Sequence, residues 1–430
     1  MGTDVLSLII FGFCIALFVW DKLPMATSAI LGCAMMVLFG VCDFKTAFGE
    51  FASTTVLMLI GVLIIGSAMA ETGIAAKIGQ TLMRLSKNSE RVLIVCSFLL
   101  AMLLSTFMTN VTVLAIFIPI TFALARNNKR ITPMNVIIPI TLAVNMGGIT
   151  TLVGSSQQMT AQGLLVEYGY TGFKVFDFMP FGIVLGIVAL TYVLLIGYPL
   201  GKKIWGDRET ESDYANTIIE DATVDKHKAI SICVIFVLMV VLYITQRIPL
   251  TNVSVPPHLT STLAALACII TGCISQKKAI ESVNWNIVGR LAACLGLAKA
   301  LKAAGGIDLV SNWFMNLVGA NLSPLALFIL MVFLAQALSL VISNSTAISI
   351  TLLVIISVAP TLALNVPAFA MGIVLAASMG ASCPLSGSTW GISMAAGYKF
   401  RDYFKYGILI DLLAFITIVI MVPAMMGLTV

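Results

Sequence analysis

The sequence predicts an all-α integral membrane protein composed of two inverted repeats. Three observations lead to this fold class. The mean hydropathy is +1.06 and only 10% of the 430 residues are charged, whereas a soluble protein carries about 25% charged residues. Apolar segments of the length of a membrane helix recur along the whole chain. The second half of the chain also repeats the polar and glycine pattern of the first half.

Membrane crossings account for most of the chain. A spanning helix needs roughly 20 apolar residues, and five segments in each half approach this length. The first is interpreted as a membrane helix rather than a signal peptide because no basic region precedes it. The ten predicted crossings are 5–20, 24–42, 54–70, 134–165, 181–200, 229–245, 259–273, 286–301, 368–395 and 406–426.

Two further apolar stretches, 92–125 and 325–359, are too long for one helix and contain polar residues in their middle. Non-helical backbone at membrane depth must line a cavity or be buried in protein, so each is predicted to be a re-entrant hairpin. The predicted organisation is then repeat one at 1–203, a cytoplasmic linker at 204–227, and repeat two at 228–430.

The basic residues predict the orientation. With non-spanning hairpins, most of the 24 Lys and Arg residues lie on one side of the membrane. The positive-inside rule places that side in the cytoplasm, so both termini are expected outside a plasma or bacterial inner membrane. The basic residues on the other side are Lys45, Lys174, Arg247, Lys299 and Lys302.

The two halves correspond at an offset of 232 to 234 residues. Gly40 matches Gly272, Gly73 matches Gly305, and Pro133 matches Pro367. Each half has an odd number of predicted crossings, so the copies must have opposite orientations in the membrane. Inverted repeats with interrupted helices in matching places are typical of secondary transporters, whose site lies near the midplane between the repeats.

The strongest correspondence lies in the interrupted segments. The pattern S-x-x-x-[ST]-N occurs at 105–110 and again at 339–344, and a glycine-rich break at Gly154-Ser155 matches Gly387-Ser388. Glycine allows the backbone to leave the helix. Exposed carbonyls can then bind a dehydrated cation, and helix N-termini can bind an anion.

Composition disfavours other classes of protein. The nine cysteines fall in apolar runs and the two histidines, His227 and His258, fall in polar loops, so no metal cluster or catalytic set is predicted. We expect no enzyme activity, no cofactor and no nucleic-acid partner. Two hairpins that meet at a breakable site favour alternating access over an open channel.

Sodium is the expected coupling ion, because the predicted site contains hydroxyls, amides and glycines but no Asp, Glu or His. Proton coupling usually requires an intramembrane acid or histidine. Asp411 lies near the predicted cytoplasmic end of its helix. Arg290, Lys299 and Lys302 are expected to extend to the membrane surface.

Several motifs carry a family resemblance, namely Glu71-Thr72-Gly73-Ile74, Phe117-Ile118-Pro119 and the segment 397–403. From Pro24 to Met426 the chain resembles the divalent-anion:sodium symporters, the carriers of dicarboxylates, citrate and sulfate within the ion-transporter superfamily. The resemblance implies a homodimer and an elevator motion. It also implies that 75–86 and 307–319 are horizontal arms that link the scaffold to the moving domain.

The resemblance also implies the binding residues. The first sodium site would use Ser105, Thr109, Asn110 and the backbone near Gly154, and the second would use Ser339, Ser343, Asn344 and the backbone near Gly387. The residues implied for the substrate include the hydroxyl residues that follow the hairpin tips. They are Asn110, Thr112, Ser155, Asn344, Ser345, Thr346, Ser388 and Thr389.

The chain departs from the family pattern mainly in the substrate residues. Val111 replaces the family's threonine, and the family's Thr-Pro-Pro-Asn is 155–158 (Ser-Ser-Gln-Gln) in one copy and 388–391 (Ser-Thr-Trp-Gly) in the other. Sodium-coupled uptake of a di- or tricarboxylate such as succinate or citrate is the leading hypothesis. The alternatives are sodium-independent dicarboxylate exchange, and carriage of sulfate or another inorganic anion.

Overall fold

The computed structural model describes residues 2–20, 23–73, 89–127, 131–205, 226–247, 254–306, 309, 323–384 and 386–429. The predicted arm at 75–86, all of the arm at 307–319 except Leu309, and most of the linker at 204–227 lie outside these ranges. Where the chain is described it is built from α-helices, which confirms the all-α prediction.

The first half contributes ten α-helices in the described ranges. These ranges also contain a 3₁₀ turn at Gly49–Ala52 and a π-helical segment at Val193–Gly197. The helices are α1 (Thr3–Trp20), α2 (Met25–Leu38), α3 (Phe44–Phe48), α4 (Thr54–Glu71), α5 (Glu90–Ser105), α6 (Asn110–Asn127), α7 (Pro133–Gly148), α8 (Ser156–Glu167), α9 (Met179–Tyr192) and α10 (Tyr198–Trp205).

The second half contributes nine more in the part of the chain that the structure describes. They are α11 (Lys226–Thr245), α12 (Pro257–Ile270), α13 (Gln276–Ser282), α14 (Trp285–Ala303), α15 (Pro324–Ser339), α16 (Asn344–Leu362), α17 (Val366–Ala377), α18 (Ser388–Ser393) and α19 (Phe400–Met426). Among the described helical stretches, five are long and apolar enough to cross a membrane: Phe44–Glu71, Met179–Trp205, His227–Thr245, Asn344–Leu362 and Phe400–Met426.

The described residues contain two helical hairpins. The first joins α5 to α6 at a tip that ends in Thr109, and the second joins α15 to α16 at a tip that ends in Ser343. Each hairpin packs against a helix that is interrupted at its C-terminal end. For the first hairpin this helix is α7, which is followed by a break before α8, and for the second it is α17, which is followed by a break before α18.

Packing between the two halves is reciprocal. Helix α2 of the first half contacts α14 of the second, and α12 of the second half contacts α4 of the first. In the same way α16 packs on α8, while α18 packs on α6. Each pair becomes the other when the halves are exchanged, which is the relation that a two-fold repeat predicts.

Matching glycines end matching helices. Gly40 and Gly272 have φ angles of 69° and 71°, and Gly73 and Gly305 have φ angles of 71° and 77°. This left-handed conformation is accessible to glycine and unfavourable for most other residues. The correspondence seen in the sequence therefore has a conformational cause: the same four helix ends require glycine.

Candidate functional site

A cavity of about 110 Å³ lies where both hairpin tips meet both broken helices. Its walls include Asn110 and Asn344, the first residues of α6 and α16, and Ser156, the first residue of α8. The N-terminus of a helix carries a partial positive charge and unpaired N–H groups. Three such termini therefore border one cavity, and apolar residues of α4 close part of its wall.

A series of hydrogen bonds between side chains connects the residues on the first-half side of the cavity. Ser105 Oγ donates to Asn110 Oδ1 at 2.7 Å, and Asn110 Nδ2 donates to Asn145 Oδ1 at 3.4 Å. Thr389 Oγ1, from the break of the second half, donates to the same Asn145 oxygen at 3.0 Å. Asn145 on α7 thus connects the first hairpin tip to the second break.

The second half of the cavity is less completely paired. Ser339, which matches Ser105, donates to the Gln336 carbonyl of its own helix at 2.8 Å instead of to its asparagine. Asn344 Oδ1 is buried and has no hydrogen-bond partner among the described residues. A buried acceptor without a partner costs about 1–3 kcal/mol, so this oxygen is available to a bound cation or donor.

Both hairpin tips use the same helix cap. The Thr112 N–H donates to Thr109 Oγ1 at 3.3 Å, and the Thr346 N–H donates to Ser343 Oγ at 3.4 Å. The hydroxyls within each pair are also hydrogen-bonded, at 2.6 Å and 3.0 Å. An N-cap of this kind satisfies one of the free N–H groups of the first turn. These four residues therefore define where α6 and α16 begin. The first residue of each of these helices lines the cavity.

Glutamines shape the first break. Gln158 Nε2 donates to the Gly148 carbonyl at 2.9 Å, across the interruption, and Ser155 Oγ donates to Gln158 Oε1. Gln157 lines the cavity, and its buried Oε1 has no partner in the described part of the chain. The two glutamines thus have different roles: Gln158 stabilises the break and Gln157 lines the cavity.

A buried carboxylate holds the second break. Both oxygens of Asp411 on α19 accept backbone N–H groups, Oδ1 from Ala381 and Oδ2 from Ser382, each at 2.9 Å. In the first break the Leu152 N–H instead donates to the Val175 carbonyl at 2.8 Å. Each break is therefore held by a partner that lies outside the break.

Arg290 brings a positive charge to the edge of the cavity. It lies on α14, three residues after the cavity-lining Ile287, and its Nη2 donates to Ser156 Oγ at 3.2 Å. A guanidinium beside a helix N-terminus experiences electrostatic repulsion. An anion beside both groups would offset this repulsion.

The structure brings part of the predicted set to the cavity. Of the predicted residues, those that line it are Thr109, Asn110, Gly154, Ser155, Asn344, Gly387, Ser388 and Thr389. The other predicted residues do not contribute to its wall. Ser105, Thr112, Ser339 and Ser343 form the hydrogen bonds described above, Ser345 is buried, and Thr346 lines a separate small cavity that includes Phe11 and Leu353.

Asn145, Trp390 and Arg290 lie at or near the cavity, and the sequence prediction assigns none of them to the site. Asn145 has a sequence signal, since it is an amide in an apolar run directly before Met146-Gly147. Trp390 lines the cavity. Arg290 was expected to extend to the membrane surface, whereas the structure turns it toward Ser156.

An all-α chain with two hairpins, two broken helices and a small polar cavity between them has the architecture of a membrane transporter. A family model described as citrate transporter matches residues 15–378. The chain therefore belongs to the citrate transporter family. It is a multi-pass membrane transporter and not an enzyme.

Similar proteins extend this finding. An uncharacterized transporter of Haemophilus influenzae is 22% identical over 431 residues, covering 96% of this chain and 90% of the relative. One of Synechocystis is 29% identical over 191 residues, or 44% of this chain, and this match spans only 31% of that relative. The YdaH transporter of Alcanivorax borkumensis has a similar fold, with a TM-score of 0.61 and 12% identity over 98% of both chains.

Proposed function

We propose that this transporter couples inward sodium movement to the uptake of a small divalent anion, with a di- or tricarboxylate such as succinate or citrate as the substrate class. The observation that carries the proposal is the buried, unpartnered Asn344 Oδ1 at the tip of the second hairpin. It faces the same cavity as Asn110 and the two Gly-Ser breaks.

Sodium coupling is supported by the kind of atom left unpaired. Asn344 Oδ1 and Gln157 Oε1 are both acceptors, and both belong to residues that line the cavity. Hard cations prefer oxygen ligands. In the proposed second sodium site Asn344 acts with Ser339, Ser343 and the backbone near Gly387. The first proposed site uses Ser105, Thr109, Asn110 and the backbone near Gly154.

An anionic substrate is supported by the positive potential around the cavity. The N-termini of α6, α8 and α16 border it, and the Arg290 guanidinium lies at the hydroxyl of Ser156. Bound sodium would add further positive charge. Val111, which stands where the resemblance implies a threonine, and Trp390 both give the wall apolar surface. A substrate with carboxylates at its ends and a carbon skeleton between them fits this lining.

Transport by an elevator motion of a homodimer is part of the proposal. The hairpins and broken helices would move together, while α2, α4, α12 and α14 would form the scaffold. The reciprocal contacts of these four helices across the two halves support this division. The proposed location is the plasma or bacterial inner membrane, with both termini outside.

The test is flux into vesicles that contain the purified protein. We expect labelled succinate or citrate to accumulate when sodium is outside and not when choline replaces it. Uptake that is indifferent to sodium would contradict the coupling, and counterflow without sodium would favour the exchanger. Sulfate uptake that saturates while succinate and citrate are ignored would favour an inorganic anion.

A further inference from the structure

We infer that α19 carries a binding site for an anionic glycerophospholipid, with the phosphate at the N-terminus of the helix and one acyl chain in a groove against the second hairpin. This site is separate from the transport cavity and goes beyond the proposed function. It rests on two cavities that share one face of α19.

The first cavity, of about 550 Å³, is basic. Lys203 at the end of α10 and Lys399, Arg401 and Lys405 around the start of α19 line it. No ion pair joins these four cations to a carboxylate within the described residues. Asp402 also lines the cavity, but one of its oxygens accepts the Lys399 N–H at 2.9 Å. Four like charges around one cavity repel each other, and a phosphate group relieves that repulsion.

This basic cavity lies at the level of the lipid headgroups. Helix α19 has 27 residues and is therefore roughly 40 Å long, whereas the hydrocarbon core is about 30 Å thick. Its apolar part, 406–426, is by itself long enough to cross this core, so we expect the charged residues at its N-terminus to lie at a membrane surface. Phe400 and Phe404 are 52% and 56% exposed beside the cations, and aromatic residues are enriched at this level of a bilayer.

The second cavity, of about 490 Å³, is an apolar groove between α15 and α19. Its walls include Phe333 and Ala337 on α15, Leu340 directly after α15, and Ile408, Leu412 and Phe415 on α19. Gln336 and Ser382 also line it, but they hydrogen-bond to Asp411 through the Gln336 side chain and the Ser382 N–H. Donors at the edge of the groove are thereby paired, which leaves a surface suited to a hydrocarbon chain.

The two cavities are aligned along the helix. Arg401, Lys405, Ile408, Leu412 and Phe415 follow one another at spacings of four and three residues, which places them on one helical face. Arg401 and Leu412 are roughly 16 Å apart along the axis. One molecule with an anionic head and a long acyl chain has the shape and charge pattern of this stripe, and a free phosphate matches only its first part.

The test compares thermal unfolding in vesicles of phosphatidylcholine alone and of phosphatidylcholine with phosphatidylglycerol in equal parts. For the unaltered protein we expect phosphatidylglycerol to raise Tm by about 3 °C. The double variant Arg401→Gln/Lys405→Gln should lose this rise. The control Lys277→Gln removes an exposed cation on α13 that lines neither cavity and should retain the rise.

A third variant, Ala337→Phe, fills the groove while leaving every charge in place, and it should also lose most of the rise. A cooperative melting transition in phosphatidylcholine alone shows that a variant is folded. If the double variant is not folded, Lys203→Gln is used in its place. A rise retained in full by the charge variants contradicts the headgroup site. A rise reproduced by inorganic phosphate in phosphatidylcholine, or unaffected by Ala337→Phe, contradicts the lipid as its source.

Discussion

Asn110 and Asn344 occupy matching positions in the two halves, yet their side-chain oxygens have different surroundings. Ser105 donates to the oxygen of Asn110, whereas Ser339 bonds to its own helix and leaves Asn344 Oδ1 without a partner in the described chain. At the scale of single residues, the oxygen of Asn110 is already paired within the protein. The proposed sodium coupling assigns the free oxygen of Asn344 to a bound cation.

We predict that Asn344→Ala lowers sodium-dependent uptake by about tenfold or more, since an interaction of 1.5–3 kcal/mol with a charged group is lost. Asn110→Ala should also lower Tm, because it removes two hydrogen bonds. Ser349→Ala is the matched control: its hydroxyl bonds to the Ser345 carbonyl of its own helix and lies against another cavity. Equal sodium responses in Asn344→Ala and the control would contradict the assignment.

Asp411 leads to a second prediction at this scale. In Asp411→Asn, one carboxylate oxygen becomes an NH₂ group that faces a backbone N–H of Ala381 or Ser382. We expect the free energy of unfolding to fall by about 1–3 kcal/mol. Asp177→Asn is the comparison, because Asp177 is exposed and accepts the Lys174 N–H through one oxygen only. Similar melting temperatures for both variants would show that the hydrogen bonds from Ala381 and Ser382 to Asp411 do not contribute to stability.

At the scale of elements, the hairpins are positioned by very close helix packing. A Cβ on Gly147 of α7 would lie 2.1 Å from the Met102 carbonyl oxygen of α5. On the other side, a Cβ on Gly407 of α19 would lie 2.1 Å from the backbone of Ala381 in the second break. Glycine is therefore required at these two crossings by space and not by backbone angle.

We predict that Gly147→Ala destabilises the protein by about 1–3 kcal/mol, because the hairpin must move away from α7. Gly12→Ala in α1 is the control, since a Cβ there meets nothing within 4 Å and alanine favours a helix. Unfolding curves of the two variants in one detergent give the comparison. If Gly147→Ala and the control unfold at the same temperature, α5 and α7 do not approach as closely as described.

Hydropathy and the repeat predicted the positions of the hairpins and breaks because apolar length and glycine placement are local properties of the sequence. The connections within the site are different in kind. Asn145 meets Thr389 across 244 residues of sequence, and only the pairing of the two halves brings them together. The same holds for Arg290. Its distance from the helix end can be read from the sequence, whereas its contact with Ser156 depends on how the two halves pack.

At the scale of the whole molecule, the inverted arrangement itself can be tested with one pair of residues. Lys45 and Lys277 are separated by 232 residues, the repeat offset, and both are exposed. Opposite orientation of the halves predicts that Lys45 lies outside and Lys277 in the cytoplasm. We expect membrane-impermeant maleimide to label Lys45→Cys in intact cells, and Lys277→Cys only after permeabilisation, in a background without the native cysteines. Labelling of both from one side would contradict inversion.

The reciprocal contacts of α2 with α14 and of α4 with α12 also have a consequence for how the chain is made. Neither half can complete its own interface, because each supplies one helix to both pairs. During synthesis the surfaces of α2 and α4 that pack on the second half are therefore first in contact with lipid or an insertion factor. They become buried only after α12 and α14 have been synthesised. Packing of the first half therefore depends on helices that are translated after it.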